Sequence, residues 1–533
     1  MKYTVISLSG AYRETGSRLP KLPSSGEHRE FRLDRFIEQV DRLLKRRKLP
    51  VLVVYRRADF HLPPFGAMEE LYYQLGRLAQ RGGELWYYAD SYRMIDCYLS
   101  SQCSCRCINY LGTVTFRGAA KSGLFFTKAF ASQGIGVKVI RQGEYKSAGA
   151  PFTEEQFDQY DREQWETLLR CSVDHIAQRT AAGKGFSQEL IDELLSGVQL
   201  TAEQAVQREV IERITTFGEL CSYWKGEKLG KRPLPKPRGT WGWNWRGRSV
   251  ALLFLEGAVM DGKDRNSPLL GQVLGDEPLV KTISELAGRS RIKAVVLRIN
   301  SGGGSAIAHE NILKALEMLA RKKPLVISMG PVAASGGYWI AHAGRSVLAG
   351  ETTVTGSIGV VGLFFTIHRF LQSRGITVDM IKKGDFSDEG SVLRDMNEAE
   401  VSDIETSIRQ VYRTFVRRTA AARSMSENQV EEVARGRVWC GRDALDQGLI
   451  DEIGTLSRAL ELAMSEAGGG SYKVKVYPKR KPSLIQKLLF SSSSQVFRDI
   501  RLLAGEAAAV SGKPLLLDIH SLEYTQSHLP LDI

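Results

Sequence analysis

The residue best placed by its neighbours to react is Ser335, in the segment GPVAASGGYWIAHA. Two small residues precede it and two glycines follow it. Small neighbours let a substrate backbone come close, and a serine that opens a helix meets the positive end of the helix dipole, which favours an oxyanion. A tight turn with an N-cap serine accounts for the same letters. Upstream, Gly302, Gly303 and Gly304 follow the apolar, β-branched run IKAVVLRI (292–299) almost directly. A glycine turn after a buried strand can aim backbone N–H groups at developing negative charge. It can also hold phosphate, but neither G-x-x-x-x-G-K-[ST] nor GxGxxG is present.

A serine nucleophile needs a base. His342 lies seven residues further on, on the same helical face but about 10 Å away. A general base must come within about 3 Å, so His342 is rejected. The G-x-S-x-G elbow is missing. Ser222 and Lys225 satisfy S-x-x-K without the KTG or SDN that should accompany it, and this is a chance match. The remaining simple option is a lysine, which must be neutral to accept a proton. Burial then has to pull its pKa from about 10.4 toward neutrality.

The elements that must position Ser335 read as alternating strands and helices. IKAVVLRI is a strand and SGGGS (301–305) a turn. A helix follows with Ile307, Ile312, Leu313, Leu316 and Leu319 on one face. PLVIS (324–328) is the next strand, and a short helix begins at Ser335. This order predicts an α/β fold.

The chain also repeats itself. SQGIGVKVIRQGEYKS (132–147) and SRGITVDMIKKGDFSD (373–388) share six of sixteen positions without a gap, at an offset of 241. Arg179-Thr-Ala-Ala matches Arg418-Thr-Ala-Ala, and Gly197, Ala205 and Ile211 match Gly436, Ala444 and Ile450, at an offset of 239. Two homologous domains, 1–224 and 249–470, therefore flank a Pro-, Gly- and Lys/Arg-rich linker at 225–248 whose tryptophans are expected to dock. In the tail, 471–533, SYKVKVYP reads as a strand that closes a sheet. Beyond it, Leu484, Ile485, Leu488, Leu489, Val496, Phe497, Ile500 and Leu503 form apolar stripes. They suit an amphipathic helix docked on protein or, alternatively, on a membrane surface.

Composition bounds the partners. Of 533 residues 43% are hydrophobic, the value of a folded chain, and the net charge is +13. The basic residues are scattered and no RNA or DNA motif accompanies them, so nucleic acid is not expected. Seven cysteines are too few to staple a chain of this length. Cys97, Cys103, Cys105 and Cys107 cluster, the last three on one face of a strand. They lack paired C-x2-C or nearby His, so small buried hydrophobes fit better than a zinc site, and a reducing compartment is favoured. No run of about 20 apolar residues predicts a transmembrane helix, and the N-terminus lacks a signal-peptide core.

The motifs SGGGS (301–305), ASGGYWIA (334–341), TGSIGV (355–360), GEYKSAGAPF (143–152) and GRVWCGRDALDQGLIDEIG (436–454) resemble those of signal peptide peptidase A, or protease IV, in its long tandem form. The resemblance covers about residues 50–465. It implies two tandem crotonase- or Clp-protease-like domains forming a serine endopeptidase with a Ser/Lys dyad, without metal or cofactor. Carried over by motif, Ser335 matches the nucleophile, Lys146 the general base and Ser357 the residue that orients the lysine. Gly303 and Gly336 match the oxyanion donors. The resemblance also implies signal-peptide remnants or other short unfolded peptides as substrates, a hollow homo-oligomer, a tetramer, and membrane association. Two departures are visible: position 302 is Gly where the family has Pro, and the family's N-terminal anchor has no counterpart.

The repeat supplies a check of its own. At an offset of 241, Ser335 falls on Met94 and Lys146 on Ser387, so each half holds one member of the pair. Leu62-Pro63-Pro64 stands near the glycine turn's place in the first half. Proline has no N–H, so that half cannot build the same oxyanion hole. Two rival readings remain at this point: an acyl-CoA-processing crotonase-like enzyme, and a non-catalytic scaffold of the same fold.

Overall fold

The computed structural model describes residues 2–15, 30–61, 63–227, 230–237, 240–241, 247–267 and 271–478. The apolar stripes of the tail, Leu62 and two of the linker tryptophans lie outside these residues.

Each half builds one mostly parallel sheet, and the two sheets share a topology. In the first, Lys2–Arg13, Val51–Phe60, Leu85–Ala89, Cys105–Ile108 and Arg213–Ile214 lie side by side in that order, all parallel. In the second, Ser249–Glu256, Ile292–Ser301, Leu325–Ala334, Ser346–Ala349 and Glu452–Ile453 follow the same order. The strand Lys473–Tyr477, within SYKVKVYP, extends the second sheet beside Ser249–Glu256. Central strands such as SVALLFLE are buried on both faces, and so they read as continuous apolar runs rather than alternating ones. The fold is thus mixed α/β with an internal duplication.

The helix Ala306–Ala320 is capped by Ser305, whose hydroxyl accepts the Ala308 N–H at 3.3 Å. Ile312, Leu313, Leu316 and Leu319 are buried as expected, but Ile307 is 69% exposed. Ile307 is five and six residues from Ile312 and Leu313, which puts it on the opposite side of the helix from the buried face.

The halves are not separate bodies. One apolar cluster runs from Met68, Leu71 and Leu75 of the first half to Val296, Leu456 and Leu460 of the second. At its edge the buried Arg298 guanidinium donates to Glu14 at 3.1 Å and lies 3.0 Å from Glu70, both carboxylates coming from the first half. Burial pushes Glu70 up to about 7, against the pull of Arg298. The seam also carries a disulfide, Cys171–Cys440, which spans 269 residues of sequence. The four clustered cysteines are free, with Cys97, Cys103 and Cys107 buried, while a pair distant in sequence is joined. Among the described residues no helix is long and apolar enough to cross a membrane.

Candidate active site

Two local features bring the site together. The first is an antiparallel ribbon between the halves, in which Gly136–Gln142 pairs with Val360–Thr366, Gln142 opposite Val360. It delivers Lys146, four residues past the ribbon, to the end of the second sheet. The second is the junction between the strand Leu325–Ala334 and the helix Gly336–Ala341. No connecting residue separates them except Ser335, which turns the chain at φ 53° and ψ −120°. A non-glycine residue in such a region costs about 1–3 kcal/mol and persists only where neighbours hold it. Here Ser335 N–H donates to Gly356 O at 2.8 Å, and Ser335 O accepts from Trp339 N at 2.9 Å.

Lys146 Nζ lies 2.9 Å from Ser335 Oγ, 2.9 Å from Ser357 Oγ and 3.0 Å from Ser357 O. The side chain is buried, and burial alone pulls its pKa down to about 7. No carboxylate pairs with it among the described residues. A neutral amine has two hydrogens and one lone pair. The Ser357 carbonyl can only accept, so one N–H goes there and the second can go to Ser357 Oγ. The lone pair is left for the Ser335 hydroxyl, which donates.

Ser357 is itself held in the left-handed region at φ 52°. Its N–H donates to Arg437 O at 2.7 Å, and the next turn is closed by Gly436 N–H donating to Ile358 O at 2.8 Å. In the sequence Gly436 stood as the partner of Gly197 in the repeat and as the first residue of the motif at 436–454, with no task assigned to it. Its task appears in space: a Cβ there would stand 2.6 Å from Lys146 Cβ. Gly436 lets the lysine's backbone pass.

The glycine turn lies directly over the serine. A Cβ on Gly303 would stand 2.9 Å from Gly336 N and 3.3 Å from Ser335 Oγ, so only glycine fits. The two predicted oxyanion donors differ, however. Gly336 is the first residue of its helix, and its N–H has no acceptor inside the helix. Gly303 N–H instead donates to Ser301 Oγ at 3.2 Å. Pro63 and Pro64 occupy the corresponding turn of the first half, with Pro64 as the N-cap of Phe65–Gln80. His342, rejected on spacing, is half-buried and directed to another helix, with Nε2 3.2 Å from Thr419 Oγ1.

The serine and lysine open on a cavity of about 700 Å³. Its walls include Leu124, Phe125, Phe157, Trp165, Val360 and Phe415, contributed by both halves.

A duplicated parallel α/β framework with a serine and a buried lysine meeting at its seam narrows the class considerably, and comparison with known proteins agrees. The chain belongs to Peptidase family S49, which matches it twice, over residues 77–228 and 317–469. It is similar to the chloroplastic serine protease SPPA of Arabidopsis thaliana, 31% identical over 66% of this chain and 53% of that protein. It is also similar to Protease 4 of Salmonella typhi, 28% identical over 76% of this chain and 67% of the relative. Protease 4 of Haemophilus influenzae is 27% identical over 70% of this chain, which spans 63% of it.

Proposed function

We propose that this protein is a serine endopeptidase in which Lys146 serves as general base to Ser335. The observation that carries the reading is the 2.9 Å approach of a buried, charge-unpaired lysine amine to a strained serine hydroxyl. In this reading the Ser335 proton moves to Nζ as Oγ bonds to the peptide carbonyl carbon. The Gly336 N–H holds the oxyanion, and Gly303 N–H joins it by leaving Ser301 Oγ. Lys146 then returns the proton to the departing amine. The acyl-enzyme is cleared by a water that Lys146 deprotonates in turn. Ser357 orients the amine by accepting its two hydrogens.

The cavity's aromatic and aliphatic walls favour extended peptides with apolar side chains, consistent with signal-peptide remnants or other short unfolded chains. The layering is read as two crotonase- or Clp-protease-like domains. The test is cleavage of an apolar reporter peptide by Ser335→Ala and Lys146→Ala; activity that survives either change overturns the dyad. A scaffold would show no labelling of the native chain by a serine-reactive probe, and an acyl-CoA enzyme would show saturable CoA binding.

The same reading includes assembly of several copies. The ribbon uses Gly136–Gln142 of the first half and Val360–Thr366 of the second. Their repeat counterparts, near 377–383 and 119–125, form no strand here. Val378, Met380 and Ile381 in the first of these stretches are exposed, Ile381 at 99%. Pairing one copy's 377–383 with the next copy's 119–125 would repeat the ribbon head to tail and generate a ring. Light scattering tests this: Ile381→Glu should shift the chain to monomer, and an unchanged mass would overturn it.

A further inference from the structure

The space beside Gly336 is filled by a residue that the dyad does not use. A Cβ on Gly336 would lie 2.4 Å from His309 Cε1 and 2.5 Å from each of its ring nitrogens. The imidazole therefore occupies the volume where any other residue at 336 would place its side chain. His309 belongs to the helix Ala306–Ala320 that the glycine turn launches, and it is fully buried. Its Nδ1 lies 2.6 Å from the carbonyl oxygen of Ser305. A carbonyl only accepts, so Nδ1 carries the hydrogen and Nε2 is a lone-pair nitrogen. Nε2 has no partner among the described residues. A buried unpaired nitrogen is destabilising, and an apolar side chain of similar size would avoid that cost. Burial also holds the ring's pKa below its ordinary value.

The placement matters because of what Gly336 does next to a strained residue. Ser335 is held by Gly356 O on one side and Trp339 N on the other. The second bond anchors the carbonyl end of the Ser335–Gly336 peptide, and its N–H end and the Gly336 Cα can still swing about that anchor. The ring closes that side. We propose that His309 is a positioning residue: pinned to Ser305, its ring buttresses Gly336 and keeps the Ser335–Gly336 amide aimed at the substrate's carbonyl oxygen. This rests on Ser335 as nucleophile and Gly336 as oxyanion donor.

The experiment is a double-mutant cycle in the full chain, read as kcat and KM on an apolar reporter peptide and as the labelling rate with a fluorophosphonate. Gly336→Ala should lose about 10²–10³-fold in kcat, the scale of a lost oxyanion donor. His309→Ala should lose about 10-fold or more in kcat with KM nearly unchanged, because a donor is misaimed rather than a pocket lost. The double variant should be faster than Gly336→Ala alone, since removing the ring makes room for the new methyl. His309→Asn keeps an N–H for Ser305 while removing the ring. It should melt like the native chain and still show the kcat loss, which separates aim from folding. Wild-type kcat in both His309 variants, or a double variant no faster than the product of the single losses, would overturn the proposal. If Ser335→Ala is inert while the cycle is additive, only the role of His309 fails. If Ser335→Ala still cleaves, the dyad fails and this inference with it.

Discussion

The two halves carry the same strand-to-helix junction and use it differently. In the first, Leu85–Ala89 leads through a short loop to the helix Met94–Ser100, and the N-cap Arg93 sits at an ordinary φ of −102°. Asp96 completes that cap by accepting the Arg93 N–H at 2.9 Å. In the second, the strand runs straight into the helix and Ser335 takes the turn at φ 53°. Counted by helix starts, Arg93 rather than Met94 stands opposite Ser335, so the repeat shifts by one residue here. The lysine position shows the reverse bias. Lys146 is buried at the seam, whereas its counterpart Ser387 is exposed and donates within its own turn, to Gly384 O at 2.9 Å. The relaxed copy of each feature is what local rules would build, and the strained or desolvated copy is where chemistry is proposed.

The most severe way to break this contrast is to remove either specialised residue. Ser335→Ala and Lys146→Ala should each lower kcat by about 10³-fold or more. Restoring the missing letters in the relaxed copies, Arg93→Ser with Ser387→Lys in a Ser335→Ala background, should create no new probe-reactive serine. Labelling of that variant would show that backbone strain and burial are dispensable.

Gly197 and Gly436 sharpen the comparison next, since both have positive φ. Nothing lies within 4 Å of a Cβ on Gly197, while one on Gly436 meets Lys146 at 2.6 Å. Gly436→Ala should cost about 10²-fold in kcat by displacing the base. Gly197→Ala should cost only about 1 kcal/mol in denaturant unfolding and leave kcat alone.

The pH dependence follows from Lys146. Its pKa in the folded chain is about 7, below the ordinary 10.5. Activity should therefore fall about tenfold per pH unit below that value as the amine protonates, and level off above it. Between the two values the unfolded chain holds the extra proton, so this group's contribution to stability rises with pH across that window. A kcat/KM profile flat from pH 5 to pH 8 would refute it. Ser357→Ala should lower kcat by about 10-fold with little change in KM, since it removes one of two contacts that aim the lysine. The smallest effect on catalysis is expected at the seam. Cys171→Ser should cost about 2–4 kcal/mol of stability and leave kcat nearly unchanged, measured by thermal unfolding beside a steady-state assay.

Much of this was legible because it is local. Alternating strands and helices, the duplication, the glycine turn and the buried face from Ile312 to Leu319 all follow from short-range periodicity and turn chemistry. Ile307 was read onto that face although its spacings of five and six residues to Ile312 and Leu313 turn it to the other side of the helix. The pairing of Lys146 with Ser335 was legible only through resemblance and the complementary losses in the repeat, since 189 residues separate them. The role of Gly436 and the bond between Cys171 and Cys440 left no short-range trace at all. The ring of His309 looked like any buried helix position, because its contact is with a glycine across the turn. The diversion of Gly303 N–H to Ser301 Oγ could not be read either, since it depends on one hydroxyl rotamer.

Splitting the reactive pair across the seam also sets a clock on the ribosome. The half bearing Lys146 emerges first, with an amine but nothing to activate. Ser335 follows later, and the glycine that lets the lysine pass comes later still. Lys146 and Gly436 are about 290 residues apart, roughly 15–60 s of synthesis at common elongation rates. If the proposed dyad holds, the nascent chain has no complete cleaving site during that interval.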